Sequence, residues 1–384
     1  MPSPSSAAPP PSRLPLPVAA PLRPMLAKRV AALPAGEHWL FEPKWDGFRT
    51  LVFRNGPDLL LQSRDLKPLN RYFPELVEPL LEQLPERCVV DGELVIAGAG
   101  GLEFESLQLR IHPAASRVAM LAARTPAALV AWDLLCLAER DLTGVPFAER
   151  RQHLEQVLSA ARPPLHLTPI TADHGRAADW FDRFEGAGLD GVMAKDWSGT
   201  YQPGKRTMLK VKHRRTADCV VAGLRWHKGA PEQRVGSLLL GLFDGEGRLH
   251  HIGVVGSFSA ARRAALVEEL RRYREVDQTH PWHEWISAAA AAASASAGAG
   301  PTRATPGLRV PGGTSRWSGG KDLSWVPLRP DLVVEISYDH MQGMRLRHTA
   351  QFLRWRPDKS PAECTYEQLE VTPPYELHRI FGAT

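Results

Sequence analysis

From residue 38 to 53 polar residues alternate, imperfectly, with apolar or aromatic ones, and after Asn55-Gly56 the run PDLLLQSR follows. This pattern predicts a strand, a turn and a strand. Leu76, Leu80 and Leu84 recur every fourth position, which predicts a helix over 73–84 with one apolar stripe. CVVDGELVI reads as a strand split by Asp91-Gly92, and ALVAWDLL (128–135) reads as another strand. Helices are expected over 149–160 and 177–186. LDGVMAK then gives a short strand and YQPGKRT a basic loop. MLKVKH alternates, with Leu209 and Val211 on one face and Lys210 and Lys212 on the other.

Beyond His213 the pattern changes. Val220-Val221, 237–243 and 249–255 are short apolar runs separated by glycine or charged turns. A helix is expected over 260–273, and another strand, DLVVEISY, starts at Asp331. Short strands around one helix predict a small barrel of the oligonucleotide-binding (OB) kind, with a sandwich as the alternative. Residues 287–315 are low in complexity and lack a packing face, so they read as an insertion between barrel strands without chemistry of its own. Prolines interrupt every apolar stretch before Met25, which excludes a signal-peptide core. A disordered leader over 1–24 is expected, with Met25 as an alternative start. The expected organisation is then a first domain over 25–212, a barrel over 213–362 and a C-terminal tail over 363–384.

The 384 residues are 43% hydrophobic and 23% charged, which suits a soluble chain of two domains. Forty-seven Lys+Arg against 42 Asp+Glu leave a formal charge of +5. That excess fits a polyanionic partner and fits a basic enzyme with a small substrate equally well. The four cysteines form no CxxC pair, which argues against a zinc site or a disulfide framework and suggests a reducing, intracellular setting. No run of eighteen apolar residues is present.

Candidate chemistry centres on EPKWDGFR, residues 42–49. A lysine is a nucleophile only when unprotonated. Glu42 and Asp46 oppose that state at Lys44, so the octapeptide by itself fits a charged strand edge as well as a reactive amine. Gly47 allows close backbone approach, and Arg49 carries a phosphate-binding fork. Asp91 and Glu93 fall on one side of a hydrophobic strand, where they need a metal, an arginine or sugar hydroxyls. Asp190 and Lys195 end one strand. Lys210 and Lys212 form a candidate anion site, and Arg356, Asp358 and Lys359 lie far downstream.

Taken in order, these pieces resemble the covalent nucleotidyltransferases, and within them the ATP-dependent DNA ligases. The family's first motif matches Lys44, Asp46, Gly47 and Arg49; the next matches Ser63-Arg64; the third matches Asp91-Gly92-Glu93. Trp132-Asp133-Leu134-Leu135 matches a later element. Asp190-Gly191, with Lys195, stands where the family usually has glutamate-glycine. Lys210 with Lys212, and Arg356 with Asp358 and Lys359, match the last two motifs. The forms EPKWDG and FLRWRPDK are similar to small bacterial ligases of the C type and to the ligase domain of multifunctional end-joining ligases.

The resemblance implies an α+β core, a nucleotidyltransferase (adenylation) domain followed by an OB-fold barrel. It implies ATP as the source of a covalent AMP on Lys44, Mg²⁺ or Mn²⁺ as metal, and nicked double-stranded DNA as partner. Glu42 would read adenine and Trp132, where phenylalanine is more usual, would stack on it. Arg49, Arg64 and Glu93 would hold ribose or the nick phosphate. Asp190 and Glu93 are the metal candidates. Lys195, Lys210 and Lys212 would hold the α-phosphate, helped by Arg206. Arg356, Asp358 and Lys359 would orient pyrophosphate in the first step, in a domain that then turns its other surface to DNA. A monomeric, cytoplasmic bacterial enzyme without membrane association is expected, with DNA repair proteins as further candidate partners. The alternatives are an ATP-dependent RNA ligase, a GTP-dependent capping guanylyltransferase and a non-catalytic DNA end-binding protein.

Overall fold

A computed structural model describes residues 14–98, 100–213, 215–276, 279–283, 324–369 and Leu377. The 287–315 segment therefore lies outside the described residues. The chain divides into two compact units, Met1–His213 with Thr372–Thr384, and Arg214–Val371. Among the described residues no helix is long and apolar enough to cross a membrane.

The first unit is built on two sheets. The larger has six strands and runs Leu165–Leu167, Ala128–Leu137, Arg87–Val95, Phe48–Asn55, Asp58–Ser63, with Arg140–Asp141 pairing to Ala128–Leu137. The smaller runs Leu26–Val30, Arg206–Val211, Val192–Asp196, Trp39–Pro43. The period of two sorts the larger sheet's side chains onto two buried faces. Val52, Val90 and Leu94 pack with the helix Val77–Gln83. Leu51, Phe53 and Val89 pack with Met25 and Met208, which belong to the region of the smaller sheet. Burial on both faces explains the near-continuous apolar runs.

Three expectations are corrected here. Asp91-Gly92 does not split its strand, because Arg87–Val95 is continuous and Asp91 is neutralised where it stands. Residues 14–24 are not a disordered leader. Leu14, Leu16 and Val18 are buried on the outer core, Gln62 exchanges two hydrogen bonds with the Leu22 backbone, and Arg87 donates to the Pro15 carbonyl. Two helices, Phe104–Arg110 and Ala115–Arg124, went unread in the sequence. The second buries Val118 and Ala122.

The second unit is a five-stranded antiparallel sheet in the order Leu249–Val255, Ala230–Phe243, Arg215–His227, Val326–Tyr338, Gln351–Trp355. A bridge between Val255 and Ala350 joins its two outer edges and closes an OB-type barrel. The helix Ala260–Glu269 packs on the strand Ala230–Phe243, and a 3₁₀ turn, Arg271–Tyr273, follows it. The strands are longer than the short runs suggested. Irregular registers near Val221/Gly223 and Arg225/Trp226 mark bulges that let one strand curve around the barrel. The tail expected from residue 363 is corrected as well: Cys364 is buried in the barrel core and its carbonyl accepts from the Phe243 N–H at 2.8 Å.

Candidate active site

Lys44 follows the strand Trp39–Pro43 directly. Its N–H donates to the Gly191 carbonyl at 2.8 Å, and its own carbonyl accepts from the Asp190 N–H at 3.0 Å. This reciprocal pairing sets Asp190 beside Lys44. Gly191 has φ +123°, and a Cβ there would lie 2.0 Å from the Val211 carbonyl oxygen, so the turn demands glycine. The close approach also brings in Lys212. Asp190 Oδ2 is 2.7 Å from Lys44 Nζ and 2.6 Å from Lys212 Nζ. Burial alone would lower the pKa of Lys44, but Asp190 more than reverses it, so the resting side chain is an ammonium. Burial would raise the pKa of Asp190, yet the two ammoniums hold it well below the usual carboxylate range.

Glu42 and Lys195 come from neighbouring antiparallel strands. Met193 stands opposite Glu42 and Leu40 opposite Lys195, so Glu42 and Lys195 are diagonal neighbours on one face. Lys195 Nζ reaches Glu42 Oε2 at 2.6 Å. Burial pushes the Glu42 carboxyl up and the Lys195 ammonium down, and the contact between them opposes both shifts. Arg151 stands 3.6 Å from Glu42 Oε1, which accepts no hydrogen bond from the described residues. Lys195 also lies over the rings of Phe147 and Trp132, 4.5 and 5.7 Å from their centroids.

Arg49 stands opposite Glu93 across two strands of the larger sheet. Its guanidinium grips both oxygens of Asp91 at 2.5 Å and covers the Trp132 ring at 4.6 Å. Asp91 also accepts from the Tyr201 hydroxyl at 2.7 Å. Glu93 accepts from the Gly47 N–H at 3.1 Å, and a Cβ on Gly47 would lie 2.0 Å from the Leu94 carbonyl oxygen.

Burial pushes the Glu93 carboxyl up to about 8, against the pull of Arg49 and Lys44. The folded protein therefore binds a proton at Glu93 that the unfolded chain releases near 4.5, and this contribution to stability is lost as pH rises from about 4.5 to about 8. In metal-free buffer Glu93→Gln is expected to melt above the parent protein at pH 8 and higher, with the gap closing toward pH 4.5. Thermal melts across that range check it; a constant gap would show that the Glu93 proton is not the cause.

Several of these groups, Glu42, Lys44, Arg49, Glu93, Trp132 and Lys195, line one cavity of about 680 Å³ in the first unit. Arg64, Arg206 and Lys210 also line it. Arg64 is largely exposed beside Asp65, and Arg206 is held by the Ala27 carbonyl. Lys210 is pushed below the usual lysine range by burial and then by Lys44 and Lys212. Arg23 lines the cavity as well, a residue that sequence reasoning missed because it assigned that stretch to disorder. Arg151 and Tyr201 were also missed; nothing in their local sequence signals a partner so far along the chain.

Residues 24–212 match the family model described as ATP dependent DNA ligase domain, and 231–359 match ATP dependent DNA ligase C terminal region. The chain belongs to the ATP-dependent DNA ligases. It is 55% identical to DNA ligase C2 of Mycolicibacterium smegmatis over 93% of this chain and 97% of that protein. It is 51% identical to DNA ligase C of Mycobacterium tuberculosis over 92% and 95%. A solved Lig E DNA ligase shares the fold, with TM-score 0.51 and 18% identity over 86% of this chain and 99% of that one.

The ligase keeps its last motif in the second unit. There Arg356 and Lys359 gather around Asp218, a strand residue that sequence reasoning did not single out, and Asp358 pairs with Arg356.

Of the two expected metal residues, Asp190 pairs with two ammoniums. Among the described residues no group of three or more His, Cys, Asp or Glu could hold an ion. Glu93 is the better fit: a carboxylate facing the cavity beside Lys44. That donor set suits Mg²⁺, which takes one or two protein carboxylates and completes its shell with water and substrate phosphates.

Proposed function

We propose that this ligase seals nicks with a 5′-phosphate and a 3′-hydroxyl in duplex DNA, with Lys44 as the covalent nucleophile. The Lys44 amine attacks the α-phosphorus of ATP, an N–P bond forms and pyrophosphate leaves. The 5′-phosphate at the nick then attacks the same phosphorus and releases Lys44. The 3′-hydroxyl attacks the activated 5′-phosphate, the backbone closes and AMP departs. The observation that carries this reading is the Lys44 side chain on the wall of the cavity, with Asp190 as its counter-ion.

Glu42 supports ATP over GTP. Its buried Oε1 accepts no hydrogen bond from the described residues, which suits the amino group of adenine. Guanine carries a carbonyl oxygen at the same ring position, an acceptor facing an acceptor. Trp132 offers a face for the base. Lys195, Lys210, Lys212 and Arg206 serve the phosphates. Arg64 serves the nick phosphate. Arg49, held by Asp91, orders the wall beside the ribose. Glu93 would hold Mg²⁺ or Mn²⁺, which supplies charge neutralisation at the phosphate oxygens. Arg356, Asp358 and Lys359 act on pyrophosphate in the first step.

Incubation with α-labelled ATP and magnesium tests the proposal. Label is expected on the denatured protein and is expected to be discharged by nicked duplex, with AMP released. Label from GTP but not ATP would move the assignment to a guanylyltransferase. Label that only nicked RNA discharges would move it to RNA ligation.

A further inference from the structure

In the second unit one buried carboxylate gathers two cations of the last motif. Asp218 lies on the strand Arg215–His227, and its side chain is 10% exposed. Both its oxygens accept from Arg356 Nη1 at 3.0 Å, and Oδ2 accepts from Lys359 Nζ at 2.9 Å. Its main chain is held as well. The Asp218 N–H donates to Gln368 Oε1 at 2.7 Å, and Gln368 Nε2 donates to the Asp218 carbonyl at 3.0 Å. Asp358 differs: it takes the Nε edge of Arg356 and is 61% exposed.

Two cations this close repel unless a carboxylate lies between them. Without one, each long side chain spreads over its rotamers, and ordering it again costs free energy when a ligand arrives. Asp218 removes that cost in advance. A guanidinium has five N–H donors and an ammonium three, so Arg356 and Lys359 keep donors for a further anion.

We propose that Asp218 is a positioning residue for self-adenylation, fixing Arg356 and Lys359 as a preformed cation pair for the pyrophosphate end of ATP. This rests on the role given to Arg356 and Lys359 above. Asp218 touches no reacting atom: the N–P bond at Lys44 forms and the bond to pyrophosphate breaks as before. A counter-ion that merely withheld the two cations would have the opposite effect on rate when neutralised.

The test uses the full chain with Asp218→Asn and Arg356→Ala. Two reactions are followed: self-adenylation by α-labelled ATP, and sealing, without ATP, of a nick that already carries a 5′-adenylate. Asp218→Asn is expected to slow self-adenylation about ten- to a hundred-fold, the scale of a misplaced positioning group, and to leave sealing of the adenylated nick unchanged. Arg356→Ala is expected to show the same split. Self-adenylation that is unchanged or faster in Asp218→Asn, while Arg356→Ala is slow, overturns the inference. Equal loss of both reactions with a lowered melting temperature would make Asp218 purely structural and also overturns it. Should Arg356→Ala itself self-adenylate normally, the role of Arg356 fails instead, and the inference falls with it.

Discussion

Lys44→Ala incubated with α-labelled ATP and magnesium is expected to retain no label after denaturation, a loss of at least about 10³-fold. The proposed nucleophile is gone, and the lysines that remain, Lys195, Lys210 and Lys212, are those assigned to the phosphates. Lys44→Arg is expected to be equally inactive. It keeps the charge for Asp190, but a guanidinium does not lose its proton at accessible pH. That pair of variants separates a lysine needed for charge from one needed as an amine. Both should melt close to the parent protein, because Asp190 keeps Lys212 as a counter-ion. Label on either variant would remove Lys44 from the mechanism.

The resting state explains what ATP must change. Asp190 holds the Lys44 proton in place, so the free protein is charged but not nucleophilic. The octapeptide's proposed nucleophile flanked by acids is thus a resting arrangement.

Asp133→Ala is expected to destabilise the first unit by about 3–5 kcal/mol. Asp133 and Arg150 are 1% and 0% exposed at the side chain. Arg150 Nε and Nη2 donate to the two Asp133 oxygens at 2.8 and 2.9 Å, and Nη1 donates to the Gly199 carbonyl at 3.1 Å. Removing the carboxylate strands a buried guanidinium. Replacing both partners together, as Asp133→Leu with Arg150→Met, is expected to cost far less, since no buried charge is left unpaired. Urea unfolding of the three proteins checks the difference. Equal loss in the single and the double variant would mean that cavity and packing effects, not the stranded charge, set the cost. The same four-residue element, Trp132 to Leu135, therefore divides its labour: Trp132 faces the cavity, Asp133 holds the helix Phe147–Val157, and Leu134 and Leu135 pack on opposite sides of the sheet.

The stretch before Met25 shows why local reading has limits. Leu14, Leu16 and Val18 alternate with prolines, and the prolines made the segment look structureless. The same alternation turns every second side chain to one side, and a greasy sheet face is there to receive it. Proline lacks an N–H, which excludes it from a central strand but not from a strap held by other donors. Arg87, some seventy residues downstream, donates to one of its carbonyls.

By itself the sequence determined the chemistry available and the order in which it occurs. Alternation set the strands, a four-residue stripe set the helix Val77–Gln83, and the spaced motifs set the ATP-dependent DNA ligase family, because these signals are carried by neighbours along the chain. Only the tertiary structure decided which charge answers which. Asp190 goes to Lys44 and Lys212, Asp91 to Arg49, Asp133 to Arg150, and Asp218 to Arg356 and Lys359. Most of these pairs join residues far apart in sequence. A buried charge is stabilised by whichever partner the fold brings within a few ångströms, and one-dimensional spacing does not encode that distance.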